Sequence, residues 1–175
     1  ATESLAIKKL LAYVPDEPYL YDKLTGREHL DFVAHMYGMA SDQIQPRLQY
    51  LIGLFGLGDY VDSLCENYSH GMKQRVVFSA ALIHSPRVLI IDEPMVGLDP
   101  KSIRIVKDVL REQAANQVSV LMSTHSLEVA EETATRIGII RHGELLTQGS
   151  LQQLQEESQS SGRLEEIFLE LTEDG

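Results

Sequence analysis

The sequence predicts an α/β domain, a parallel sheet flanked by helices with a helical subdomain inserted between its strands. Three observations carry that reading. Val88-Leu89-Ile90-Ile91 is continuously apolar and largely β-branched, as a central parallel strand covered on both faces requires. Shorter apolar runs before and after it alternate with segments whose apolar residues recur at helical spacing. The 88–91 run then stops at two adjacent carboxylates, Asp92 and Glu93, followed by a proline that cannot continue a ladder. Open α/β sheets bind ligands at the carboxyl ends of their strands, so these two acids head the candidate site. Successive strand side chains point oppositely, which lets one acid hold a metal while the other faces a water. Alone, the run also reads as a strand ending in a polar turn.

Bulk properties narrow the classes. A chain of 175 residues fits one domain with a sizeable core. Hydrophobic content of 43% and a mean hydropathy of -0.12 are ordinary for a water-facing protein, and no run reaches ~18 apolar residues. A net charge of -11 counts against a general role on nucleic acid or anionic lipid. It does not count against a nucleotide, whose phosphates are met locally by amides, lysine and Mg²⁺. The single Cys65 excludes an intrachain disulfide and a cysteine-rich zinc site.

In chain order, Leu11 to Val14 is a short strand stopped by Pro15, and residues 16–24 form a loop with little periodicity. Thr25-Gly-Arg-Glu28 is a capping box opening a helix that carries Leu30, Val33, Ala34 and Tyr37 inward. Gly38 ends it. Ser41 is placed to cap a second helix with the stripe Ile44, Leu48, Leu51, Ile52 and Phe55. Ser69 is placed to cap a third, from about Gly71 to His84, with Met72, Val76, Ala80 and Ile83 inward. After the 88–91 strand, Asp99 can cap a helix with Pro100 at its first position and Ile103, Val106 and Leu110 inward. Val118 to Met122 reads as the next buried strand, and Leu127 to Thr135 as a helix capped by Ser126. Short strands at 136–140 and 144–147 flank the tight turn Arg141-His-Gly143. Ser150 caps a brief helix, and Leu164, Ile167, Phe168 and Leu171 mark a last amphipathic one. The implied organisation is 1–24, strand and following loop; 25–67, helical subdomain; 68–149, α/β core; 150–175, terminal helices.

Three further pieces stand at fitting positions around Asp92-Glu93: Tyr68-Ser-His-Gly-Met-Lys-Gln-Arg75, Gly97-Leu-Asp-Pro100 and Ser123-Thr-His125. As an ordered set these resemble the signature, Walker B, D-loop and H-loop motifs of the ATP-binding cassette (ABC) ATPases, and the resemblance covers essentially the whole chain. It implies a P-loop NTPase-like fold, ATP and Mg²⁺ as cofactors, and ATP hydrolysis. It further implies a transmembrane permease and a second nucleotide-binding subunit as partners, and a peripheral position on the cytoplasmic face of the membrane; the acidic balance already argues for no nucleic acid partner. By the same resemblance, Asp92 supports Mg²⁺ and Glu93 polarises the attacking water, while His125 hydrogen-bonds the γ-phosphate. Ser69 and Gly71 match the signature's serine and second glycine, whereas His70 replaces the first glycine, Met72 the glutamine and Tyr68 the leucine. A serine hydroxyl and amides at a helix N-terminus can still form an anion site. The structural alternative there is a capped helix. Asp99 matches the D-loop aspartate and can also be a plain N-cap. Asp16 stands where the family has a glutamine, with Glu17 as an alternative occupant.

One necessary part is missing from the 175 residues. No G-x-x-x-x-G-K-[ST] occurs, and the only Gly-Met-Lys, Gly71 to Lys73, lacks the spacing and the hydroxyl. The resemblance places the absent strand, loop and helix ahead of Ala1. Two expectations follow: the chain alone binds ATP very weakly without hydrolysing it, and the incomplete sheet rearranges or pairs with another chain around 136–149. Besides the transporter ATPase, two readings remain, a catalytically silent interaction or dimerisation fragment and a soluble non-transport ABC ATPase. The short helical insert and acidic surface fit the last less well. Co-purification with a membrane partner separates it from the transporter reading.

Overall fold

The computed structural model describes residues 6–158 and 162–173. The chain divides into two compact units, residues 1–123 and 124–175, each with its own apolar core.

The first unit is built on three parallel strands in the order β1 (Leu11–Val14), β2 (Val88–Asp92), β3 (Ser119–Ser123). Val14 pairs with Ile91 and Asp92 with Ser123, so the carboxyl ends of the three strands lie in register. One face of this sheet is covered: Ala12, Val14, Leu89 and Ile91 are at most 1% exposed. The other face is more open, because Tyr13, Ile90 and Leu121 form a row across it and Leu121 is 65% exposed. The strand expected to be buried at 118–122 is therefore an edge strand shifted by one residue, with Ser119, Leu121 and Ser123 exposed. Its apolar composition suggested full burial, but among the described residues no strand pairs with its far edge.

Helix α1 (Gly26–Met36) starts at the capping box. Thr25 Oγ1 accepts from the Glu28 amide and Glu28 Oε2 from the Thr25 amide. The Thr25 amide first, and then the Thr25 hydroxyl, which also donates to Glu28 Oε2, hold the Glu28 carboxyl below its ordinary range. Helix α2 (Ser41–Leu54) buries Ile44, Leu48, Leu51 and Ile52 as its stripe requires. Ser41 is its first helical residue and not its cap; Ala40 holds the cap position without a side-chain bond.

Helix α3 (His70–Leu82) does start after Ser69, whose Oγ accepts from the Met72 amide at 3.3 Å. It is buried nearly all round, with Gln74, Val76, Val77, Phe78 and Ser79 inside, and not along the single expected stripe. The reason is its position between the helical segment and the sheet, with contacts to both α1 and β1. Arg47 of α2 closes its far end, donating to the Leu82 and Ile83 carbonyls at 2.6 and 3.3 Å. Helix α4 (Pro100–Ala115) has Asp99 as N-cap and Pro100 in its first turn. It buries Ser102, Val106, Val109 and Leu110, leaving Ile103 only half-buried.

In the second unit, α5 (Leu127–Thr133) follows Ser126, which makes no side-chain cap bond; its amide donates to Thr124 Oγ1 instead. β4 (Ile137–Arg141) and β5 (Glu144–Gly149) form an antiparallel hairpin. Positive φ at His142 and Gly143 gives the two-residue turn that matches strand twist. Within this hairpin, Ile137 pairs with Gly149 and Arg141 with Glu144, with a register shift between Ile139 and Ile140. Ser150 and Gln153 form a capping box for α6 (Leu151–Glu157). Leu164 and Ile167 of α7 (Leu164–Glu173) join Leu154, Ile137 and Ile139 in the core. Among the described residues, no helix is long and apolar enough to cross a membrane.

Tyr68 is the anchor between the helical segment and α3. Its hydroxyl accepts from the buried Gly26 amide at 3.1 Å and faces the Tyr60 and Ser63 carbonyls at 2.8 and 3.0 Å. Tyr68→Phe leaves the Gly26 amide without an acceptor, an expected loss of about 1–3 kcal/mol in urea unfolding. An unchanged midpoint would show that the hydroxyl is not the anchor.

Candidate functional site

The register of β2 decides where the acids fall. Asp92 is the last strand residue and stands opposite Ser123, whose Oγ donates to Asp92 Oδ1 at 2.5 Å. The serine fixes the carboxylate's orientation and leaves its other oxygen available for an approaching cation. Glu93 follows with φ +44, a left-handed conformation that is uncommon for a residue with a side chain. Its amide donates to the Ser123 carbonyl at 3.0 Å, so the strained residue is tied to the neighbouring strand. Strain of this kind persists where surrounding structure imposes it. Both acids are half-buried.

Pro94 and the turn through Val96 lead to Gly97, which has φ +70. This loop lies against the N-terminus of α3: a Cβ placed on Gly71 would be 3.5 Å from the Gly97 carbonyl oxygen and 3.7 Å from Leu98 Cδ2. Ser69 and Gly71 are thereby brought beside the Gly97–Asp99 loop. Asp99 Oδ1 accepts from the Lys101 and Ser102 amides and Oδ2 from the Ser102 hydroxyl at 2.6 Å. The hydroxyl first, and then these amides, hold its carboxyl below the ordinary range. Its capping role is thus in place, and the carboxylate remains exposed.

Asp16 is two residues past β1, at the same end of the sheet by register, and is half-buried with Glu17 exposed beside it. Gln74 of α3, fully buried, extends Nε2 to the Pro15 carbonyl at 3.5 Å and so braces this loop. His125 lies two residues past β3, exposed, at the start of the second unit.

Two partners escaped the sequence reading. Ser123 counted there only as part of Ser-Thr-His, since its bond to Asp92 follows from a register spanning 31 residues. Gln74 counted there only as part of the Tyr68–Arg75 stretch, and only the burial of α3 on several sides reveals it. Its spacing carried no signal.

Among the described residues no three His, Cys, Asp or Glu side chains converge to hold a metal. The donor set is therefore one oriented carboxylate with a second next to it. That suits Mg²⁺, which keeps several waters and takes one or two carboxylates together with substrate phosphates. The residues fit a cation that arrives on a nucleotide, and not one caged by the protein alone.

Comparison with known proteins follows the same lines. A family model described as "AAA domain, putative AbiEii toxin, Type IV TA system" matches residues 19–131. A solved structure described as "Structure of ATP binding subunit of ABC transporter" is 33% identical. It covers 98% of this chain and 72% of that chain, with a TM-score of 0.91. The chain belongs to the ABC ATP-binding protein family. Among its relatives, the ABC-type transporter ATP-binding protein EcsA of Bacillus subtilis is 36% identical over 163 residues, 93% of this chain and 66% of EcsA. The SkfA peptide export ATP-binding protein SkfE of the same organism is 35% identical, over 87% of this chain and 64% of SkfE. The chain thus spans about two thirds of the length of these ABC relatives.

The left-handed backbone at Glu93 gives a direct check on the site's construction. Glu93→Gly is expected to be more stable than Glu93→Ala by about 1 kcal/mol in thermal or urea unfolding, because only glycine takes that φ without a Cβ penalty. An alanine variant at least as stable as the glycine one would contradict the strained geometry.

Proposed function

We propose that this chain carries the metal-and-water half of the ATP site in a transporter ATPase subunit. Its partners are a transmembrane permease and a second nucleotide-binding subunit, on the cytoplasmic face of the membrane. The observation that carries the reading is the pair Asp92-Glu93 at the carboxyl end of β2, the first acid oriented by Ser123 and the second tied to the same strand. Bound Mg-ATP would supply the transferable γ-phosphoryl group and the metal's charge, and catalysis is then mainly positioning and electrostatic stabilisation.

Each residue has a role in this account. Asp92 holds the Mg²⁺, directly or through water. Glu93 takes a hydrogen bond from the attacking water and polarises it. His125 donates to the γ-phosphate and orients that water. Ser69 and Gly71 present a hydroxyl and an amide at the N-terminus of α3 to a γ-phosphate held by the second subunit. Asp99 caps α4 and faces the second subunit. Asp16, with Glu17 as the alternative, accepts from a metal-bound water. The helical segment 25–67 is the part that meets the permease.

The 175 residues contain no G-x-x-x-x-G-K-[ST], so the grip on the β- and γ-phosphates comes from residues outside them. The chain by itself is therefore catalytically silent in this proposal. Peptide export is stated of SkfE alone, and for this protein the transported substrate is set by the membrane partner.

In a form carrying the phosphate-binding loop, Glu93→Gln is expected to lower ATP turnover by roughly 10²–10⁴-fold with nucleotide binding retained. Asp92→Asn should instead weaken the Mg²⁺-dependent part of binding. Turnover by Glu93→Gln at the parent rate would remove Glu93 from the water-polarising role.

A further inference from the structure

Where the family signature has its first glycine, this chain has His70, and the structure shows what the extra ring touches. His70 is the first residue of α3 and is exposed. Its imidazole lies against Gly97: a Cβ built on Gly97 would stand 2.5 Å from His70 Cδ2, 3.0 Å from Nε2 and 3.3 Å from Cγ. No side chain at position 97 is compatible with that ring position, since real Cβ atoms do not approach so closely. Gly97 also has φ +70, the left-handed conformation that favours glycine, and any larger residue there would have to push the ring away. The next residue, Gly71, lies by the Gly97 carbonyl oxygen and the Leu98 side chain. The Gly97–Leu98 backbone is thus met by consecutive residues at the start of α3. A glycine at position 70 would leave the ring's share of that contact empty.

We propose that His70 is a positioning residue that ties the Gly97–Asp99 loop to the N-terminus of α3. Ser69, Gly71 and Asp99 then keep a fixed geometry with respect to one another. The proposal rests on the functional reading above for its purpose, because those three residues are the ones assigned there to a second subunit. The physical basis is its own. The loop from Glu93 to Asp99 is short, ends in a helix cap at Asp99, and meets the first turn of α3 at Gly71 and His70. A flat ring laid on a glycine restricts that backbone without needing a hydrogen bond. Aromatic character at position 70, and not charge, is what the contact uses.

The test compares His70, His70→Ala and His70→Phe in the 175-residue chain by NMR. In the parent, a nuclear Overhauser contact is expected between the His70 ring Hδ2 and the Gly97 Hα protons. His70→Ala should make the Gly97, Leu98 and Asp99 amides exchange several-fold faster. His70→Phe, which keeps a ring of similar reach, should restore the parent exchange. Position 70 is exposed, so global unfolding is expected to match in all three, and the strand amides provide the internal reference. Absence of the ring contact, or unchanged exchange at 97–99 in His70→Ala, would overturn the proposal. So would failure of phenylalanine to restore slow exchange. Loosening of the loop in His70→Ala, together with full ATP turnover by Glu93→Gln, would leave this coupling standing and remove only the functional reading.

Discussion

The constraint on which the rest depends is the parallel register of β2 between two neighbours. Ile91 pairs with Val14 on one side and Met122 on the other, and Leu89 and Ile91 are buried beneath the sheet. A slip of one residue would turn those side chains to the open face and expose the apolar set, so the register is strongly specified. Once it is set, Asp92 must fall opposite Ser123 and Glu93 must leave the strand. The bond from the Glu93 amide to the Ser123 carbonyl then holds the second acid in a backbone conformation it would not choose alone.

Helix α3 relays that constraint to the other half of the candidate site. Its start is fixed by the Tyr68 hydroxyl, by the Ser69 cap, and by Arg75, which donates to the Phe55 carbonyl and lies over the Tyr60 ring. Its end is closed by Arg47, whose burial lowers the guanidinium's pKa yet leaves it two carbonyl acceptors. Desolvation pushes the Tyr60 hydroxyl up to about 12, against the opposing charge of the nearby Arg75 guanidinium. With both ends pinned, the first turn of α3 is a firm surface for the 97–99 loop. Gln74 carries the same firmness to the Pro15 carbonyl, next to Asp16.

Much of this was legible because the signals are local. The capping box at Thr25, the caps at Ser69, Asp99 and Ser150, the stripe of α2 and the His142-Gly143 turn each depend on a few neighbouring residues. The failures have physical causes too. Ser41 and Ser126 have the right chemistry for caps, but the helices begin where those hydroxyls make no cap bond. The run at 118–122 is apolar enough for a central strand, yet apolarity reports what a strand can bury and not how many neighbours it has. Helix α3 showed a stripe, whereas a helix wedged between two layers buries most of its surface. The acids at 92 and 93 were visible as residue types. Their orientation by Ser123 and the contact of His70 with Gly97 were not, because both join segments that only the fold brings together.

As proposed above, these residues supply the metal-and-water side of an ATP site without the phosphate grip. Titration of the 175-residue chain with a fluorescent ATP analogue in the presence of Mg²⁺ tests this most directly. No saturable binding at micromolar concentrations and no phosphate release are expected. Micromolar, Mg²⁺-dependent binding that competes with ATP would contradict this, because the phosphates would then be held by other residues of the 175.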